Sequence, residues 1–157
     1  MNEHNVYLRA NGRWIGHIGK VVRGPGGEMV FYFEEELGRD TVRNHGIVPP
    51  GSIGLAPALL EYLERIGVRR IVFRPRGKRP LWISVAEARE AGVEAELSGR
   101  IGARRYVPLP RWRPFEPAGW RPGRLEYDPD RDITLEQGPL RPRAGAQIPL
   151  FQEAGDG

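Results

Sequence analysis

Cysteine is absent from the 157-residue chain, which excludes disulfides, thiolate metal sites and a cysteine nucleophile. Lysine is nearly absent: of 24 basic side chains only Lys20 and Lys78 are lysine, and the rest are arginine. Serine stands only at Ser52, Ser84 and Ser98, none of them in a nucleophile elbow. The histidines His4, His17 and His45 form no His-x-x-x-His or Glu-x-x-His pair. His17 reads as a structural histidine in an apolar strand. No apolar run approaches the about 20 residues that span a bilayer. The start, Met1 to Asn5, has no cationic stretch leading into an apolar one. The expectation is a cytoplasmic protein with neither membrane segment nor secretory leader.

What is present is arginine, proline and glycine. The formal net charge is +4. The positive excess lies within residues 1–110, whereas residues 111–157 are close to balanced. Arginine keeps its charge at any relevant pH and grips phosphate or carboxylate through a planar fork, so the composition favours an anionic partner. A GC-rich or thermophilic background raises the same residues, so composition alone does not establish one.

Local patterns predict one α+β domain over 1–110, followed by a proline-rich extended segment over 111–157 partly wrapped on it. Val6–Ala10 and Arg13–Ile18 flank Asn11-Gly12, a pair suited to a type I′ hairpin turn. A strand over Glu28–Glu35 completes a three-stranded antiparallel meander. Leu37–Ser52, rich in glycine and proline, reads as a long loop carrying a possible polar site of Arg39, Asp40, Arg43 and His45. A covering helix begins at Pro57 with Leu59, Leu60, Leu63 and Ile66 on one stripe, and Gly67 suits its C-terminal cap. Strands over Arg69–Phe73 and Leu81–Ser84 enclose a basic turn. Ser84 and Glu87 form a capping box for a short helix that ends at Gly92. Val93–Leu97 fits no single pattern, and Arg104–Leu109 reads as one more strand. Leu125–Tyr127 and Asp132–Leu135, around Asp128-Pro129-Asp130-Arg131, suggest a small hairpin, while Trp112, Phe115 and Trp120 argue for wrapping as far as Trp120.

The basic hairpin is the strongest functional clue. Between Arg65 and Ala86 there is no acidic residue. Arg69, Arg70, Arg74, Arg76, Lys78 and Arg79 fall on or near the hairpin, and a β-ribbon of this kind suits nucleic-acid phosphates. A second acid-free stretch, Ser98 to Phe115, carries Arg100, Arg104, Arg105, Arg111 and Arg113 interleaved with aromatics, which suits single-stranded nucleic acid. Both stretches are expected to converge on one positive surface. The bland alternatives are an edge hairpin whose charges deter aggregation, and arginine packing on tryptophan inside the fold.

Enzymatic readings are weaker. Gly24, Gly26 and Gly27 lack the Lys-Ser/Thr of a P-loop and read as a turn. Glu34, Glu35 and Glu36 with Asp40 read as a solvated strand end. The order strand-strand-strand-helix-strand is shared with two nuclease architectures, but neither set of converging acids is present on the corresponding strands. No cofactor, metal or catalytic residue is expected. The leading function is a non-enzymatic nucleic-acid-binding protein, of a size and composition that suit a mobile element or phage. The alternative is an assembly component or homo-oligomer docking through its proline-rich segment.

Overall fold

The computed structural model describes residues 3–34, 51–75, 77–97 and 101–140. The loop candidates Arg39, Asp40, Arg43 and His45, together with Arg76 and Arg100, lie outside the described residues.

The fold is α+β, with two sheets and two helices among the described residues. The strands are β1 (His4–Ala10), β2 (Arg13–Arg23), β3 (Met29–Phe33), β4 (Ser52–Leu55), β5 (Arg70–Phe73), β6 (Leu81–Ser84), β7 (Val93–Glu96), β8 (Ala103–Pro108), β9 (Arg113–Pro114) and β10 (Ile133–Gln137). The helices are α1 (Pro57–Ile66) and α2 (Val85–Ala91). The main sheet runs β10-β1-β2-β3-β5-β6-β9, and a second sheet runs β4-β8-β7.

The predicted meander forms, with Asn11 at φ 52° and Gly12 at φ 79° in its first turn. β3 then pairs parallel with β5, the crossover passing through α1. Pro57 opens α1, and Gly67, at φ 87°, closes it in the left-handed region. The N-cap residue Ala56 offers no side-chain bond, so the amide of Ala58 donates instead to Gln137 Oε1 at 2.6 Å, from the far end of the chain. The capping box of α2 is present, with Glu87 N–H donating to Ser84 Oγ at 2.9 Å.

Strand alternation divides the main sheet into two faces. Phe31, Phe33, Ile71, Phe73 and Ile83 point toward α1 and α2 and form the principal core with Leu59, Leu63 and Val107. The opposite face carries Val22, Val30, Tyr32, Val72 and Trp82, and is covered by Phe115, Trp120 and Leu125.

Three expectations are revised. Val93–Glu96 is a strand, and with β4 and β8 it makes a sheet not foreseen. The small hairpin around Asp128-Pro129 does not form: β10 pairs parallel with β1 instead, because its apolar residues find a better partner in an edge already buried by the core. The segment after 110 is also more than a wrapping. It supplies β9 and β10 to the main sheet, with the strap between them lying across the second face.

Candidate nucleic-acid interface

The β5–β6 hairpin keeps its ladder through Phe73 and Leu81. Beyond that pair Pro75 and Pro80 cannot donate, so the tip is held by other bonds. Lys78 N–H donates to the Pro75 carbonyl at 3.0 Å, and Arg74 Nε donates to the Lys78 carbonyl at 2.9 Å. Gly77, at φ 71°, makes that bend without strain. The strap then meets the tip. Phe115 N–H donates to the Pro80 carbonyl at 2.9 Å, and Trp120 packs on both Tyr32 and Phe115, with ring centroids at 5.7 Å and 5.3 Å.

These anchors bring Ala118 and Gly119 over the hairpin. A concavity of about 530 Å³ results, lined by Arg74, Gly77, Lys78, Arg79, Ala118 and Gly119. Among the described residues, three cations line it and no carboxylate does. Burial raises the Tyr32 phenol above its usual range, and Arg121 and Arg74 both lie close enough to oppose that rise.

The other predicted arginines go elsewhere. Arg104 is fully buried, and its Nη1 donates to the carbonyls of Ile101 at 2.7 Å and Ala103 at 3.0 Å. Arg105 is buried too. Its guanidinium donates to the carbonyls of Ala88 and Arg89 and pairs with Glu94 at 3.2 Å. Arg70 grips Glu28 in a two-pronged pair at 3.0 and 2.5 Å and lies over Trp82, 4.7 Å from the ring centroid. Arg113 grips Glu87 the same way at 3.0 and 2.7 Å and also lies over Trp82, at 4.9 Å. The bond from Arg113 holds Glu87 below the usual carboxylate range, against partial burial and with help from Ser84.

Arg69 stands at the start of β5, beside a separate hollow that includes Glu28. Arg111 is exposed in the short turn before β9, at the end of the β6–β9 ladder away from the tip. The expected convergence of the two arginine-rich stretches is therefore corrected. Arg104 and Arg105 are inside, Arg70 and Arg113 already hold carboxylates, and Arg69 and Arg111 sit at the wrong end. Arg74, Lys78 and Arg79 remain at the tip.

The same sheet face carries a polar network that alternation hides. His17 and Lys20 are three apart and belong on opposite faces of a regular strand. They share one because β2 bulges there: Val6 pairs with Gly19, while Tyr7 pairs with His17, leaving Ile18 extra. Gly19 permits this arrangement, since a Cβ at that position would lie 2.4 Å from both the Phe31 ring and the Tyr32 carbonyl. Glu34 then accepts from His17 Nδ1 at 3.2 Å and from Lys20 Nζ at 3.1 Å. The His17 bond lowers the Glu34 carboxyl below its usual range, opposed by burial and assisted by Lys20.

His17 Nε2 meets Asn5 Oδ1 at 3.1 Å, and the Asn5 amide nitrogen donates to Asp132 at 3.0 Å and to the Leu125 carbonyl at 3.3 Å. Asp132 is almost wholly enclosed. Burial pushes its carboxyl up, but bonds from the Asn5 side chain, the Asp128 and Asn5 amides and Arg131 outweigh that and hold it at about 2. Both ring nitrogens of His17 are thus engaged, and the network acts as a brace tying β1, β2, β3 and the strap together, with no ring nitrogen free to move a substrate proton. Among the described residues no cluster of three or more His, Asp or Glu side chains is arranged to hold a metal ion.

Comparison of the chain with protein-family models, with curated proteins and with solved structures yields no match. No helix among the described residues is long and apolar enough to cross a membrane.

Proposed function

We propose that this is a non-enzymatic nucleic-acid-binding protein of the cytoplasm, holding backbone phosphates at the tip of the β5–β6 hairpin. The observation that carries the reading is the concavity of Arg74, Lys78 and Arg79, which among the described residues is lined by three cations and no carboxylate. Elsewhere on the main sheet, Arg9, Arg70 and Arg113 are each matched to a glutamate. Cations kept apart from carboxylates suit an external anion, and glycine at both Gly77 and Gly119 lets that anion approach the backbone closely. Nucleic acid is favoured over a small anion because several cations spread along one open hollow suit a run of successive phosphates better than a single charge. The competing role, docking of a protein partner through the proline-rich segment, has less support. β9, the strap and β10 are already committed to this chain's own sheet.

The test is binding to duplex and single-stranded DNA and RNA across a salt series. Each phosphate contact contributes about 0.9 to the slope of log K against log salt on duplex DNA. Replacing Arg74, Lys78 and Arg79 together with glutamine is expected to flatten that slope by about 2 to 3. Absence of binding at low salt removes the reading.

A further inference from the structure

The braced face carries one more feature, which phosphate binding does not use. Trp14 is 57% exposed and Tyr127 66% exposed, unusual for side chains so costly to leave in water. They come from opposite ends of the chain and meet at Tyr7. The Tyr7 and Trp14 rings stack at 5.5 Å with 25° between their planes, and Tyr127 stands edge-on to Tyr7 at 5.9 Å. Beside them opens a hollow of about 470 Å³, the size of a small-ligand pocket, with Lys20, Glu34, Arg124 and Glu126 among its walls. Its charges balance, so it is no second phosphate cradle. What it offers is aromatic surface.

Position relates this platform to the tip. Tyr7 pairs with His17, His17 bonds to Glu34, and Phe33 pairs with Phe73, which Arg74 follows. The platform and Arg74 therefore stand in one row across β1, β2, β3 and β5. At about 4.8 Å per strand they are about 15 Å apart on the same face. Resting on the nucleic-acid reading, we infer that Tyr7, Trp14 and Tyr127 form a stacking platform for an unpaired base, and that the partner is single-stranded. A strand crossing the row would set its phosphates against Arg74, Lys78 and Arg79 and lay a base on the Trp14 face. A duplex keeps its bases stacked on one another and leaves the platform empty. Base–aromatic stacking is tolerant of sequence, so binding without strong base preference follows.

The experiment compares one oligonucleotide in three forms, single-stranded, duplex and abasic, by fluorescence anisotropy at fixed salt. The wild-type protein is expected to bind the single strand at least tenfold more tightly than the other two. W14A/Y127A, which alters two exposed side chains, is expected to lose at least tenfold on the single strand alone, with its salt slope unchanged, and W14F to retain most of the affinity. A double variant that binds the single strand like wild type, or a wild type that prefers the duplex, overturns the inference. Duplex binding that depends on the hairpin tip, with no preference for the single strand, removes the platform and leaves the phosphate reading in place. A wild type that binds none of the three removes both.

Discussion

The two ends of the β5–β6 hairpin are built from the same residue type and use it in opposite ways. At the tip, Arg74, Lys78 and Arg79 face a hollow that no carboxylate lines among the described residues. At the other end, Arg70 and Arg113 each hold a glutamate in two hydrogen bonds and both lie over Trp82. Arg104 and Arg105, on the second sheet, are further withdrawn, serving as multi-donor clamps on backbone carbonyls. The guanidinium fork suits carbonyl oxygen, carboxylate and phosphate alike. In this protein much of the arginine content is internal scaffolding, and the surface available to an anion is smaller and better defined than the charge count suggests.

The difference predicts where substitution destabilises. The largest effect is expected for Arg105→Ala, which strips donors from the Ala88 and Arg89 carbonyls and a partner from Glu94. A loss of about 3 kcal/mol is expected in urea unfolding, with Arg105→Lys recovering little because an ammonium cannot reproduce the fork. A change below about 1 kcal/mol would mean that the buried arginines are not structural.

Acid tests the carboxylate side of the same pairing. Asp132, Glu87 and Glu34 all have folded-state pKa values below their ordinary ones. Each therefore adds stability that is full above the unfolded pKa and is lost as pH falls through the folded value. For Asp132 that window runs from 3.8 down to about 2. Asp132→Asn is expected to remove about 2 kcal/mol at neutral pH and to match wild type near pH 2, read from unfolding midpoints across pH.

Arg113→Ala should cost less, about 1 kcal/mol, since that side chain is half exposed and water screens its pair with Glu87, leaving the contact over Trp82 as much of the effect. The smallest effect belongs to the tip. Replacing Arg74, Lys78 and Arg79 with glutamine should change stability by within about 0.5 kcal/mol. A larger loss would place the tip among the structural arginines and erase the contrast.

Local chemistry made the elements legible. Asn11-Gly12, Pro57 with Gly67, and the Ser84–Glu87 box each specify a turn or cap within a few residues, and the corresponding strands and helices form where those signals stand. What escaped was long-range. β10 joins β1 across more than a hundred residues, and Gln137 caps α1 from 79 residues beyond Ala58. The face shared by His17, Lys20 and Glu34 escaped because a bulge breaks the two-residue period. Gly16 and Gly19 inside an otherwise apolar strand were the available signal, since glycine within a strand often marks a bulge or a close backbone approach. Among the cations, the acid-free stretches marked the hairpin tip, where the proposed site lies, but they also marked Arg70, Arg104, Arg105 and Arg113, whose partners come from elsewhere in the chain or from the backbone.

The most direct measurement is the slope of log K against log salt for nucleic-acid binding by three proteins: wild type, the Arg74/Lys78/Arg79→Gln variant, and an Arg70→Gln/Arg113→Gln variant. The tip variant is expected to lose about 2 to 3 units of slope on duplex DNA, and the paired-end variant to keep the wild-type slope. An equal loss in both variants, or none in the tip variant, contradicts the division between arginines that face the hollow and arginines paired with glutamate.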